Sequence, residues 1–111
     1  MPGYSLINPA DAVKPSDAMD AWVLYTSENF EMIHLTLQPG ESVEPHNQPF
    51  DVIFYVLEGS GRITIGECAE TITKGVGICV KGGHQRRLKN ESAAPLKILV
   101  NKLLKVYHSD E

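Results

Sequence analysis

Two glycine-bounded stretches hold most of the side chains in this chain that could do chemistry. Residues 39–59 read PGESVEPHNQPFDVIFYVLEG and residues 75–90 read GVGICVKGGHQRRLKN. The first supplies His46, Gln48, Glu44 and Asp51. A histidine titrates near neutrality, so His46 is a candidate general acid or base. The second supplies Lys81, Arg86, Arg87 and Lys89, four cations within nine residues of a chain whose formal net charge is -4. A guanidinium is a planar donor suited to a carboxylate or phosphate, so binding of an anion is one chemistry this cluster supports. Its plainer reading is a solvated strand face for Arg87 and Lys89 and a turn for Lys81. A metal is the other chemistry. It asks for three or four imidazole or carboxylate donors converging at about 2 Å. His46 and His84, with Gln48 as a weak oxygen donor and a water, would be an improvised set, if His84 shares a face with Arg86. Cys68 and Cys79 match no zinc-ribbon or redox spacing and are expected as reduced, partly buried thiols.

The elements that must position these groups read as short strands. Ile33, Leu35 and Leu37 share one face at period two, with Met32, His34 and Thr36 on the other. Ser27-Glu28-Asn29 breaks the pattern as the turn of a hairpin whose first arm carries Trp22, Leu24 and Tyr25. Further β-rich runs follow at 52–57, 62–65, 70–73, 76–80, 85–89 and 96–103, separated by glycine-rich breaks. The last run also fits a helix face through Leu99, Leu103 and Val106, and we read it as a strand to about Lys102 with a short tail. Residues 1–20 show no steady period and form an irregular lead-in. Residues 21–111 read as a single all-β domain, a sandwich or barrel, which a chain of 111 residues can fill with one core.

These spacings resemble the paired motifs of the cupin family. Gly40, His46, Gly59 and Gly61 match the first motif, and Gly75, Gly83 and Asn90 match the second, with Lys81 where the family carries proline. The likeness covers residues 30–105. It implies a double-stranded β-helix, the cupin or jelly-roll barrel, with Gly59 and Gly61 flanking a tight turn. In the usual pattern two histidines, a glutamate and a third histidine hold a metal. Here those positions read His46, Gln48, Val52 and Arg86. Val52 has no donor, and a permanent cation at a ligand position repels a divalent ion. Asp51, next to the lost glutamate, would reach the site only through a bulge.

The resemblance therefore implies a cavity lined by His46, Gln48, Val52, Phe54, Val56 and Arg86, with Leu35 and Leu37 behind. An inward Arg86 needs a counter-ion, from Asp51, Glu44 or a ligand. The expectation is a small-molecule-binding protein that takes an anionic ligand through His46, Gln48, Val52, Phe54 and Arg86, with no cofactor or tightly bound metal. The alternative is a metal-dependent enzyme of the oxygenase, isomerase or decarboxylase type, its ligands rebuilt around His46. The residues leave catalysis open. Trp22 and Tyr25 could line the mouth of the cavity or a subunit interface, and the family likeness implies a homodimer.

Composition narrows the partners. Apolar residues are 42% and charged residues 22% of the chain, values of an ordinary folded domain. A net charge of -4 argues against a nucleic-acid footprint. The longest apolar run, 52–57, is too short to span a bilayer, and the N-terminus lacks a signal-like basic start and apolar stretch. The expectation is a cytoplasmic protein.

Overall fold

The computed structural model describes residues 3–105, the side chain of His46 excepted. Val106 and Tyr107, at the end of the ambiguous last run, lie outside the described residues. The alternating segments become strands β1 (Asp20–Thr26), β2 (Phe30–Leu37), β3 (Ser42–His46), β4 (Asp51–Glu58), β5 (Ser60–Ile65), β6 (Cys68–Thr73), β7 (Gly77–Val80), β8 (Arg86–Lys89) and β9 (Leu96–Leu103). One sheet has the order β1-β2-β9-β4-β7 and the other β3-β8-β5-β6, with every pairing antiparallel. From β2 to β5, and again from β6 to β9, each successive strand crosses to the opposite sheet. That zigzag is the double-stranded β-helix the motifs imply.

Period-two patterning decides what faces inward. Leu35, Leu37, Val52, Phe54, Val56, Leu96, Ile98 and Val100 of the first sheet meet Ile63, Ile72 and Leu88 of the second in one buried cluster. Ser27 closes the expected hairpin, donating its N–H to Phe30 O at 2.8 Å. Asn90, fully buried, ties the strand ends together. Its amide donates to Leu37 O (2.9 Å) and Ala94 O (2.8 Å), and its Oδ1 accepts from Ser92 N (3.0 Å) and Oγ (2.7 Å).

Four expectations need correction. β3 was not legible as a strand, because Pro45 and polar neighbours interrupt its pattern. It lies at a sheet edge, where proline is tolerated. The thiols of Cys68 and Cys79 are exposed, not partly buried. In β7 the inward places go to Ile78 and Val80, which turns Cys79 outward. Gly59 does take the left-handed turn conformation, at φ 85°, but Gly61 does not. Gly61 is required by crowding instead, since a Cβ there would lie 2.5 Å from Leu96 Cδ2. The lead-in is also less irregular than its sequence. It holds a 3-10 turn at Pro9–Asp11 and a two-bond bridge between Val13 and Val23, and β1 starts within it at Asp20. Among the described residues no helix is long and apolar enough to cross a membrane.

Candidate functional site

Between the sheets lies a cavity of about 200 Å³. Ile33 and Leu35 of β2, Val52 and Phe54 of β4, and Val100 of β9 form one wall, and Val43 of β3 and Leu88 of β8 the other. Met19 and Ala21, where the chain enters β1, close a side. Two cationic side chains, Arg86 and Lys102, complete the lining.

Arg86 opens β8, in backbone register with His46 on one side and Ile65 on the other. Alternation then sends Arg86 and Leu88 inward and Arg87 and Lys89 out to solvent. The inward arginine is 3% exposed, and its Nε and Nη1 have no hydrogen-bond partner among the described residues. Burial pushes its pKa below the ordinary guanidinium value. It nevertheless stays a cation at neutral pH.

A clamp on the preceding turn aims this residue. Gly82 donates its N–H to Asp51 Oδ1 at 2.9 Å, and Lys81 Nζ sits 3.2 Å from Asp51 Oδ2. Gly83, at φ 86°, donates to Gln48 O at 2.8 Å, and Asn47 Nδ2 donates to Gly83 O at 3.3 Å. No larger residue fits at 82, where a Cβ would lie 2.5 Å from Pro49 O. The Gly82 N–H, and then the Lys81 ammonium, hold the Asp51 carboxyl below its ordinary pKa.

That clamp corrects two roles expected of Asp51. Engaged by Lys81 and Gly82, it is neither an improvised metal ligand nor the counter-ion of Arg86. Gln48 does not line the cavity either. β3 ends at His46, so strand alternation does not carry to position 48, and the residue serves the turn through its carbonyl. His84 is exposed on the loop before β8 and does not share the inward face of Arg86, because the strand begins two residues later. The side chain of His46 lies outside the described residues. Val52, Phe54, Leu35 and Arg86 come together as expected, while Val56 and Leu37 sit in the core away from the cavity. Trp22 and Tyr25 are not at the mouth. Trp22 donates Nε1 to Asp20 Oδ1 at 2.8 Å, with Lys14 Nζ 5.6 Å from its ring centre, and Tyr25 packs on Phe30 with ring centres 6.4 Å apart.

With fold and cavity in view, comparison with known proteins decides the family. The profile of the cupin domain matches residues 33–101. The chain belongs to the cupin family. This cupin is 30% identical over 67 residues to the tetracenomycin polyketide synthase protein TcmJ of Streptomyces glaucescens, a match covering 60% of this chain and 45% of the relative. The chain thus spans about half the length of that curated relative. Among solved structures, the protein TT1209 of Thermus thermophilus superposes with a TM-score of 0.72 at 24% identity, covering 90% of each chain. The polyketide cyclase RemF of Streptomyces resistomycificus gives 0.76 at 17% identity, covering 96% of this cupin and 88% of RemF. Likenesses at these identities carry the fold.

One lining residue of this cupin was missed by sequence reasoning although its signal was present. Lys102 follows Leu96, Ile98 and Val100 at period two, so the same alternation turns it inward. Its Nζ lies 3.5 Å from Glu31 Oε1, its cross-strand neighbour, and both side chains are about three-quarters buried. Met19 had no such signal, because it comes from the lead-in, where no period exists.

Proposed function

We propose that this cupin is a small-molecule-binding protein that holds an organic anion, a carboxylate or phosphate, in the cavity between its sheets, without a tightly bound metal. One observation carries the reading: Arg86 is desolvated, with two donors that have no partner among the described residues. A buried guanidinium left unpaired costs several kcal/mol, so the fold tolerates it where a ligand can supply the partner. Three of the four positions at which the family holds metal support the same conclusion. Val52 is apolar and buried, Arg86 is a cation, and Gln48 lies beyond the end of β3, outside the cavity lining. A set rebuilt from His46, Gln48 and His84 is not favoured, since His84 is on an exposed loop. TcmJ and RemF are both named for polyketide synthesis or cyclisation, and no reaction is carried over from them to this chain. Two exposed cysteines suit the reducing cytoplasmic setting expected.

Titration calorimetry against carboxylates and phosphate, with wild type and Arg86→Met compared, tests the site. Charge-assisted hydrogen bonds contribute about 1.5–3 kcal/mol each, so losing them should weaken binding by roughly 10- to 100-fold or more. Unchanged binding by the variant removes the anion site. Elemental analysis of protein purified without added metal tests the rest. Stoichiometric iron, manganese, nickel or zinc would establish the metal enzyme instead.

The expected homodimer has its own support on the outer face of the first sheet. Registers place Trp22, His34, Leu99 and Tyr55 in one row, and Tyr25, Met32, Asn101, Ile53 and Cys79 in the next. Aromatic side chains of this kind are enriched at interfaces. Five strands about 4.8 Å apart and two such rows make a patch of roughly 300 Å² in plan. A stable interface needs about 800 Å² per partner. The apolar lead-in, with Tyr4 76% and Leu6 87% exposed, provides further surface to make up the difference. A second copy offers the same face and the same arm, as a two-fold dimer requires.

A further inference from the structure

Resting on that anion-binding reading, the lining of the cavity also specifies the rest of the ligand. We infer that the site takes an amphipathic monocarboxylate, one anionic head on a compact hydrocarbon or aromatic body of about six carbons. Apart from Arg86 and Lys102, every lining side chain is apolar. No hydroxyl, amide or carboxylate side chain lines the cavity among the described residues. A sugar hydroxyl or a second carboxylate placed there would lose its water without gaining a partner, which opposes binding. Apolar carbon placed against Leu35, Phe54, Leu88 and Val100 gains the full transfer free energy.

Charge sets the head group. Lys102 is already neutralised by Glu31 at 3.5 Å, which leaves Arg86 as the uncompensated cation of the lining. A carboxylate carries one charge and matches it. A phosphate monoester carries about 1.5 to 2 at neutral pH and exceeds it.

Volume sets the body. An apolar cavity of about 150 Å³ accepts one benzene ring. At about 200 Å³ this one accepts a ring or short chain together with its carboxylate, the size of benzoate or hexanoate.

The test is calorimetric titration of the purified protein with straight-chain carboxylates from acetate to decanoate, with benzoate, with malonate and with hexanol. Each methylene should tighten binding about fourfold until the body fills the cavity near six carbons, after which the series flattens. Hexanol should bind at least tenfold more weakly than hexanoate, and malonate more weakly than butanoate. Ala21→Leu, at the cavity's edge, should move the plateau to shorter chains. A flat series, or malonate binding best, with Arg86→Met still abolishing binding, overturns the amphipathic ligand and leaves the anion site standing. A plateau that Ala21→Leu does not move shows that the carbon chain binds elsewhere and likewise overturns it. No binding of any carboxylate, or binding indifferent to Arg86→Met, overturns the anion site itself.

Discussion

Arg86→Met should make the ligand-free protein more stable, the reverse of the usual effect of deleting a structural arginine. Methionine reproduces the unbranched stem of arginine as far as Nε, so the substitution keeps apolar contact beside Val52 and Leu88 while removing the guanidinium end. It removes a cation whose Nε and Nη1 are buried without partners. Replacing buried charge by apolar residues of similar volume stabilises proteins by about 1–4 kcal/mol, and we take about 2 kcal/mol here. Unfolding entropy of about 2.1 cal/mol/K per residue gives about 0.23 kcal/mol/K for 111 residues, so the midpoint should rise by about 9 °C. Differential scanning calorimetry on exhaustively dialysed protein reads this directly, with urea titration as the check at 25 °C. A saturating carboxylate should reverse the order. At 100 times the wild-type Kd a ligand adds about 2.7 kcal/mol to wild type, and to a variant that binds it 100-fold more weakly only about 0.4 kcal/mol. Destabilisation of the dialysed variant by about 3 kcal/mol or more would refute the reasoning. That loss is the signature of breaking a buried pair, and it would mean that Arg86 already has a counter-ion in the folded chain.

Particular contacts yield three further outcomes. Asn90→Ala strands Leu37 O and Ala94 O in the interior and should cost about 3 kcal/mol in urea unfolding, whereas Ser92→Ala, which spares both amide donations, should cost less than about 1.5 kcal/mol. The pKa of Asp51 is lowered in the fold, so the stability it contributes is complete above its ordinary value of 3.8 and is lost as pH falls below that value. Asp51→Asn should flatten the acid limb of the stability profile below about pH 4, and an unchanged limb would remove the clamp from the account. Sedimentation velocity should give a dimer for wild type and a monomer for Trp22→Glu combined with Tyr55→Glu, and a dimer that survives both charges would place the interface elsewhere.

The barrel was legible because its signals are local. Alternation at 33–37 and 96–100 fixed which side chains turn inward, and the glycine spacings fixed where the strands stop. The exceptions have one local cause and one distant one. Pro45 disguised β3, since an edge strand needs fewer of its own backbone donors than a central one. Gly61 looked like a turn residue, and its actual constraint, the approach of Leu96, comes from 35 positions along the chain. The site was legible where strand parity extends and illegible where it stops. Parity carried Val52, Phe54 and Arg86 into the cavity and would have carried Lys102. It failed for Gln48 and His84, which lie just outside the ends of β3 and β8. Counter-ion choice was not readable at all, because Asp51 meets Lys81 and Gly82 only once β4 has paired with β7, about 30 positions along the chain.

The clamp on the 81–83 turn explains how this barrel can carry a cation at position 86 without a change of fold. Every bond in that clamp is made by Asp51, Lys81, Asn47 and the backbone of Gln48, Gly82 and Gly83, and none by the side chain of residue 86. The direction in which residue 86 points is therefore set before its identity matters. A neutral imidazole delivered there would donate an electron pair to a cation, and a guanidinium delivered there donates protons to an anion. Turning the sign of the site costs the scaffold only the desolvation of one cation, which is the quantity the Arg86→Met measurement isolates. Apolar walls then do the rest: beside a metal they would shield it from water, and beside Arg86 they favour the carbon body of an acid.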